Sequence, residues 1–435
     1  MSADGGTWRN WARTVTVTPQ RVEQPARIEE LQQCVKWAAA AGLQVKAVGA
    51  GHSFTAVAAA PGVLLDLGRL QGILEADSAR RRVRLLAGTR LHRIPELLAP
   101  FQLAMPNLGD IDRQSVAGAL STGTHGTGAG FGGLCTQVVG MTLVQPDGGL
   151  LALDEEDPLL PAAALGLGAL GIIADVTLQC VPAFALHAVE ASEPLASVLA
   201  SLEERVGSTD HFEFYWFPHT DRAATKANTR LPGTAPLKPL TPAGRWTDET
   251  LLSNTVFRAT CAAGTAVPAV IPAVNRAAAR LLGGRNYTDS SARVFTQRRT
   301  VRFTEMEYGL PAERLGSAFD ALRRLIEDRA WRISFPVEVR WAAADDRWLS
   351  TAHGRDTAYI AVHRYCREDP TEYFGAVEEI MLAHEGRPHW GKLHNLGAAA
   401  LAPRYPRFAD FLDLRNRMDP DRMFANGYLD HVLGP

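Results

Sequence analysis

Residues 48–53 read VGAGHS, and this short stretch restricts the chain more than any other. An apolar run ends in Gly49 and Gly51, which permit positive φ and let other groups approach the backbone with no side chain in between. The amides exposed by such a turn form a concavity suited to phosphate oxygens. A flat, phosphorylated ligand lying against His52 fits the pattern. A Rossmann fingerprint requires a third glycine at the opening of a helix, whereas Phe54 stands there and the chain continues TAVAAAPG, which is poor helix. The same residues also describe a tight turn followed by a locally bonded histidine, so the choice falls to the rest of the chain.

At 435 residues, 46% hydrophobic and 21% charged, the chain can build two or three domains with sizeable cores. Forty-five basic residues against forty-seven acidic ones leave no overall field to hold nucleic acid or an anionic membrane. A small-molecule partner is therefore expected. Cys34, Cys135, Cys180, Cys261 and Cys366 are scattered, odd in number and free of CxxC spacing, so they read as thiols in a reducing compartment and not as a metal site. The first residues, MSADGGTWRNWART, lack the apolar core of a secretory signal, and a cytoplasmic location is expected. Residues 262–282 are apolar but carry Pro268, Pro272, Arg276 and Arg280, which predicts a connector or packed helix and no membrane span.

Periodicity predicts a helix over residues 26–41, with Ile28, Leu31, Val35 and Ala38 on one face and Gly42 as its cap. Strands are expected at 43–48, 63–67 and 82–86, a short helix at 93–100, and a hairpin joining 141–145 to 150–153 through PDGG, where Gly148 and Gly149 supply positive φ. Ile172, Ala174, Val176, Leu178 and Cys180 alternate with Ile173, Asp175, Thr177 and Gln179, the pattern of a half-buried strand that Pro182 closes. A domain boundary follows at 182, dividing residues 1–182 from 183–435. Residues 231–242, rich in Pro and Gly, read as a long surface connection.

Residues 115–128, SVAGALSTGTHGTG, interleave four glycines with Ser and Thr hydroxyls and His125. Such a stretch passes close to a ring system and donates many hydrogen bonds, or it is a flexible loop. Pro106 and the apolar spacing favour ordered backbone. In FPVEVRWA, strand alternation puts Glu338 and Arg340 on one side and Phe335, Val337, Val339 and Trp341 on the other. An exposed pair of this kind contributes only about 0 to 1 kcal/mol and needs no purpose. A covered pair needs a tight mutual bridge or a polar ligand. Tyr359, Ala361, His363 and Tyr365 alternate likewise, turning His363 toward the same cavity or into a hydrogen-bonded core position. RPHWGKLHN gathers His389, Trp390, Lys392, His394 and Asn395, with no neighbouring carboxylate or cysteine to complete a metal site.

VGAGHSF together with NLGDIDRQSVAGALSTGTHGTG resembles the FAD domain of the vanillyl-alcohol-oxidase superfamily, and within it the sugar-1,4-lactone oxidase and alditol oxidase branch. GALGII at 168–173, VEVRW, HWGK and DPDRMFANGYL resemble further segments of that branch, so the similarity spans nearly the whole chain. The resemblance implies an α+β protein: a two-lobed FAD-binding domain of the PCMH type, then a substrate domain with a large, mostly antiparallel sheet flanked by helices. The segment from about 387 is expected to return to the flavin. It implies FAD bonded covalently through His52, with Val48, Gly49, Ala50, Gly51, Ser53, Gly109, Ser115, Gly118, Thr122, Gly123, Thr124, His125, Ile172 and Ile173 around the cofactor. Glu338, Arg340, Lys392 and His363 would be catalytic, and with Asp110 would hold the substrate. The implied reaction oxidises a sugar lactone (L-gulono-, L-galactono- or D-arabinono-1,4-lactone) beside its carbonyl, and glycine at position 109 points to oxygen as acceptor ahead of a cytochrome or dye. An alditol oxidase acting on xylitol or sorbitol shares the same residues. A Ser/His hydrolase lacks the GxSxG elbow, and a flavin-binding protein without catalysis leaves the Glu338 and Arg340 alternation unexplained.

Overall fold

The computed structural model describes residues 6–281 and 284–435. The first glycine turn sits at the edge of a three-stranded parallel sheet, in which Val63–Asp66 lies between Arg21–Glu23 and Val45–Val48. The amphipathic helix Ile28–Ala40 buries Leu31, Val35 and Ala38, and Gly42 ends it at φ +64°. Beside it stands a five-stranded antiparallel sheet in the order Leu150–Asp154, Val138–Val144, Ile172–Gln179, Arg82–Leu86, Ile73–Asp77. The hairpin expected at PDGG is present, but only Gly148 takes positive φ; Gly149 does not.

The strand Ile172–Gln179 is more buried than its alternation predicts. It is central in its sheet, and both of its faces are covered from Ile172 through Val176. Asp175 is tolerated there because Arg84 grips it with two bonds of 2.7 and 2.8 Å while Thr142 donates a third at 3.2 Å.

The second half of the chain forms an eight-stranded antiparallel sheet, ordered Arg285–Ser290, Phe184–Pro194, Arg222–Pro232, His211–Trp216, Val337–Ala342, Thr357–Tyr365, Phe303–Pro311, Arg387–Pro388. Helices Leu315–Asp328 and Thr371–Ala383 share one apolar core with the central strands, with Phe319, Leu322, Tyr373 and Met381 packed against Phe214, Val339 and Ile360. The architecture is α+β.

Between Arg222–Pro232 and Arg285–Ser290 the chain inserts a run of helices, Pro242–Trp246, Thr247–Val256, Phe257–Ala266 and Ile271–Leu281. The region read as a connector or packed helix is thus two helices joined at Pro268, with position 282 outside the described residues. No helix among the described residues is long and apolar enough to cross a membrane.

The C-terminal segment packs back onto the first half. Trp390, Phe408, Phe411 and Phe424 belong to the same apolar core as Leu31 and Val63. Backbone bonds from Val45 to Met423 and from Phe54 to Gly391, at 2.8 and 2.7 Å, stitch this segment to both sides of the VGAGHS turn. Asn426 adds side-chain bonds to the carbonyls of Ala56 and Ala59 at 3.0 and 2.8 Å.

Candidate active site

The two glycine-rich segments meet. Gly51 adopts φ +69°, and a Cβ at Gly49 would stand 2.0 Å from the Ser115 Oγ, so no other residue fits between them without displacing that side chain. Ser115 caps a short helix, Val116–Ser121, by accepting from the Gly118 amide at 3.2 Å. These segments wall a cleft of about 820 Å³ lined by Val48, Gly49, Ala50, Gly51, His52, Ser53, Ser115, Gly118, Thr122, Ile172 and Ile173. Its glycine-lined floor and length suit a dinucleotide cofactor such as FAD.

The cleft continues past His52 and Ser53 into a second pocket bordered by Trp11, Gly109, Asp110, Thr124, His125, Arg340 and Lys392. Trp11 stacks on the His52 ring at 5.5 Å. Asp110, Arg340 and Lys392 are shared in turn with a larger chamber that also takes in Glu338 and His363. All the expected site residues line this continuous path except Gly123. Its φ of +79° explains the glycine, and the Cβ it lacks would face Leu165 in the core at 3.1 Å, away from the cleft.

At the junction lies a buried charge cluster. Glu338 and Arg340 project from Val337–Ala342 to the same side and pair directly. Arg340 Nε donates to Glu213 at 2.8 Å and Nη2 to the Tyr215 hydroxyl at 3.3 Å, while that hydroxyl donates to Glu338 at 2.9 Å. Asp110 lies 3.0 Å from Arg299 and 3.8 Å from Arg340. Lys392 pairs with Glu305 and lies 3.9 Å from Glu307, which also faces His125 at 3.4 Å. His363 Nε2 is 3.5 Å from Glu305, with Nδ1 directed at the Pro336 carbonyl at 3.3 Å.

Sequence reasoning missed Glu213, Tyr215, Arg299, Glu305 and Glu307. Contrary to the expectation from RPHWGKLHN, His389 has a carboxylate neighbour. Glu307, far away in sequence, brings a ligand atom within 4.8 Å of His125 and His389, and Glu305, Glu338 and His363 form a second such group. Lys392 already supplies positive charge between the two groups.

Burial acts on every ionisable group here, and neighbouring charges sort the outcomes. Burial raises the Glu338 pKa, Asp110 and Glu213 push it further, and Arg340 opposes, leaving it above the ordinary carboxylate value. Burial also works against Asp110 and Glu305, but cations win: Arg340, Arg299 and Lys392 bring Asp110 to about 2, and Lys392 and His363 bring Glu305 to about 2. Glu307 is lowered as well. Among these four carboxyls Glu338 alone is shifted toward accepting a proton. Burial, then Arg90, Lys392 and Arg113, lower His52 to about 4, so its imidazole is neutral at pH 7.

The fold and site define a FAD-binding oxidoreductase, and comparison with known proteins agrees. Residues 19–154 match the FAD binding domain family, and residues 176–432 match the family described as D-arabinono-1,4-lactone oxidase. L-gulono-1,4-lactone dehydrogenase of Mycobacterium tuberculosis is 42% identical over 98% of this chain and 99% of its own. L-gulonolactone oxidase of Scyliorhinus torazame is 33% identical over 99% and 98%, and alditol oxidase of a Streptomyces species 33% over 98% of each. The cholesterol oxidase structure from B. sterolicum superposes with a TM-score of 0.84 at 19% identity, covering 99% of this chain and 96% of that one, a likeness of fold. The chain belongs to the D-arabinono-1,4-lactone oxidase family of FAD-dependent oxidoreductases acting on CH–OH groups.

The buried histidines generate a pH prediction. His52, His211, His389 and His394 are each lowered from 6.5 to about 4, chiefly by burial. Between those values the unfolded chain binds more protons than the folded one, so stability falls on acidification by about 1.4 kcal/mol per pH unit for each histidine. Thermal melting followed from pH 7 to pH 4 is expected to show a steep drop in Tm. A Tm that holds or rises across that window contradicts the burial assigned to these rings.

Proposed function

We propose that this protein oxidises a sugar 1,4-lactone at the hydroxyl beside the lactone carbonyl, using FAD held covalently through His52 and passing the electrons to oxygen. The observation that carries this reading is the buried Glu338–Arg340 pair, of which Arg340 borders the pocket that continues the cofactor cleft while both line the larger chamber. When bound, FAD supplies the oxidising power, accepting hydride from the carbinol carbon. The chain's own residues position and balance the charge. Glu338, with its raised pKa, takes the hydroxyl proton. Arg340 and Lys392 place positive charge where the substrate oxygen becomes electron-rich, and preorganised charge of that kind lowers the barrier. Asp110 and His363 complete the substrate contacts. Glu213, Tyr215 and Glu305 position Arg340, Glu338 and Lys392.

His52 lies where the cofactor cleft meets the charge cluster and burial keeps its imidazole neutral at pH 7, which supports it as the residue that would hold FAD. Gly109 borders the same pocket, but a Cβ there would stand 3.0 Å from the His125 carbonyl oxygen, so its glycine is explained by close packing, and oxygen as acceptor rests on the likeness to an L-gulonolactone oxidase. The five cysteines are all unpaired, as in a reducing compartment, which supports a cytoplasmic location. The division into a FAD-binding part up to residue 182 and a substrate part beyond it belongs to the same reading. The likeness to an alditol oxidase favours a second one, in which the substrate is an open-chain polyol held by the same side chains.

A panel of L-gulono-, L-galactono- and D-arabinono-1,4-lactone with xylitol and sorbitol, scored in parallel by peroxide release and by dye reduction, separates these readings. The lactones are expected to exceed the polyols at least about tenfold in kcat/KM, a difference of about 1.4 kcal/mol in transition-state binding. The reverse order assigns the enzyme to alditols, and dye reduction without peroxide removes oxygen as acceptor. For the covalent bond, acid-precipitated wild-type protein is expected to stay yellow and His52→Ala protein to lose its colour. A colourless wild-type pellet refutes the attachment.

A further inference from the structure

The chamber beyond the charge cluster is roomy and partly apolar. At about 1520 Å³ including its open mouth it exceeds the cofactor cleft, which is about 820 Å³ on the same measure. Its two ends differ in chemistry. One carries Asp110, Arg299, Glu338, Arg340, His363 and Lys392; the other is walled mainly by Phe217, Leu252, Val256, Phe257, Ile271 and Val274, with Ser253, Thr260 and Asn275 among them. All of the second group except Phe217 come from the helical insertion between strands Arg222–Pro232 and Arg285–Ser290.

The outer surface of that insertion adds an independent observation. Of the eight large hydrophobic side chains that stand exposed among the described residues, Leu237, Trp246, Val256 and Val267 lie on this insertion. Val256 is 41% exposed and also lines the chamber, so an apolar side chain stands at its mouth. Hydroxyl groups set against the chamber's apolar side chains lose water partners that those side chains do not replace. An unsubstituted sugar therefore leaves this end unused, whereas an alkyl chain fills it with favourable contact.

We infer that the substrate is amphipathic: a hydroxylated head whose carbinol sits at Glu338 and Arg340, and an alkyl or acyl tail running beneath the helical insertion. This rests on the proposed reading of Glu338 and Arg340 as the substrate end, and narrows the substrate class within it. The polar end recognises the head and fixes the reacting carbon. The apolar end selects among heads by what they carry.

The test uses the FAD-loaded enzyme and two homologous series, 6-O-alkyl ethers of L-gulono-1,4-lactone and of sorbitol with chains of zero to eight carbons. Calorimetric affinity is measured anaerobically on enzyme whose FAD has been reduced beforehand, so that no turnover occurs, and steady-state KM is measured for each. Affinity is expected to rise about four-fold per methylene over the first several carbons and then level off, with a negative heat-capacity change that grows with chain length. Val274→Asp, or Leu252→Asp on another part of the wall should the first fail to fold, is expected to flatten the series. Affinity that is flat or falls with length in both series overturns the inference, as does a gain that persists in the folded Asp variant. A length dependence confined to sorbitol ethers, with no lactone oxidised, supports the chamber and refutes the lactone reading. Turnover of bare lactones with no benefit from length does the opposite.

Discussion

The ion cluster around Arg340 is the interaction on which the site depends. Taking charges out of water costs several kcal/mol per ion, and mutual attraction recovers this only when geometry and hydrogen bonding are nearly complete. Arg340 and Glu338 are each only 7% exposed. Arg340 is satisfied by Glu213, Tyr215 and Glu338 together, and Glu338 in turn accepts from Tyr215. An apolar set of the same volume would fold at lower cost. The charges make sense as a preorganised surface for a polar reactant, stiff because every member is held by another.

The rest of the fold brings that surface to the cofactor cleft. Three strands of the eight-stranded sheet, His211–Trp216, Val337–Ala342 and Thr357–Tyr365, supply Glu213, Tyr215, Glu338, Arg340 and His363. Phe303–Pro311 supplies Glu305 and Glu307 beneath Lys392. Lys392 follows directly on Gly391, whose carbonyl bonds the Phe54 amide just beyond His52. One short backbone contact thereby ties the VGAGHS turn to the segment that carries the Lys392 cation. The parallel sheet carrying VGAGHS and the antiparallel sheet carrying the charges are held in register by the returning C-terminal segment.

What could be read from the sequence follows from the range of each signal. Period-two alternation placed Glu338, Arg340 and His363 on shared faces, and the structure puts them around one chamber. Glycine spacing marked both walls of the cofactor cleft. Gly123 sits between the lining residues Thr122 and Thr124 at positive φ, a backbone requirement that in sequence looks the same as a glycine needed beside a ligand. Glu213 lies 127 residues from Arg340, and no local pattern announces such a partner. Glu305 and Glu307 carried a legible signal, two acids at alternate positions in the apolar run FTEMEYGL, the same signature that drew attention to Glu338 and Arg340. Lys46 was hidden for another reason. Its burial against the carbonyls of Gly168 and Phe424, both at 3.0 Å, depends on sheet order and on the returning C-terminal segment.

The central claim is that Glu338 works on the substrate and is not merely one half of a structural bridge. Stopped-flow reduction of the bound flavin by L-gulono-1,4-lactone, comparing wild type with Glu338→Gln, tests it directly, because the amide keeps the shape and can still bond Arg340 and Tyr215. The account predicts a limiting reduction rate about 100-fold lower or more, of the size lost with a proton acceptor, while the melting temperature changes little. A rate within about two-fold of wild type, equal to only about 0.4 kcal/mol of barrier, would contradict it.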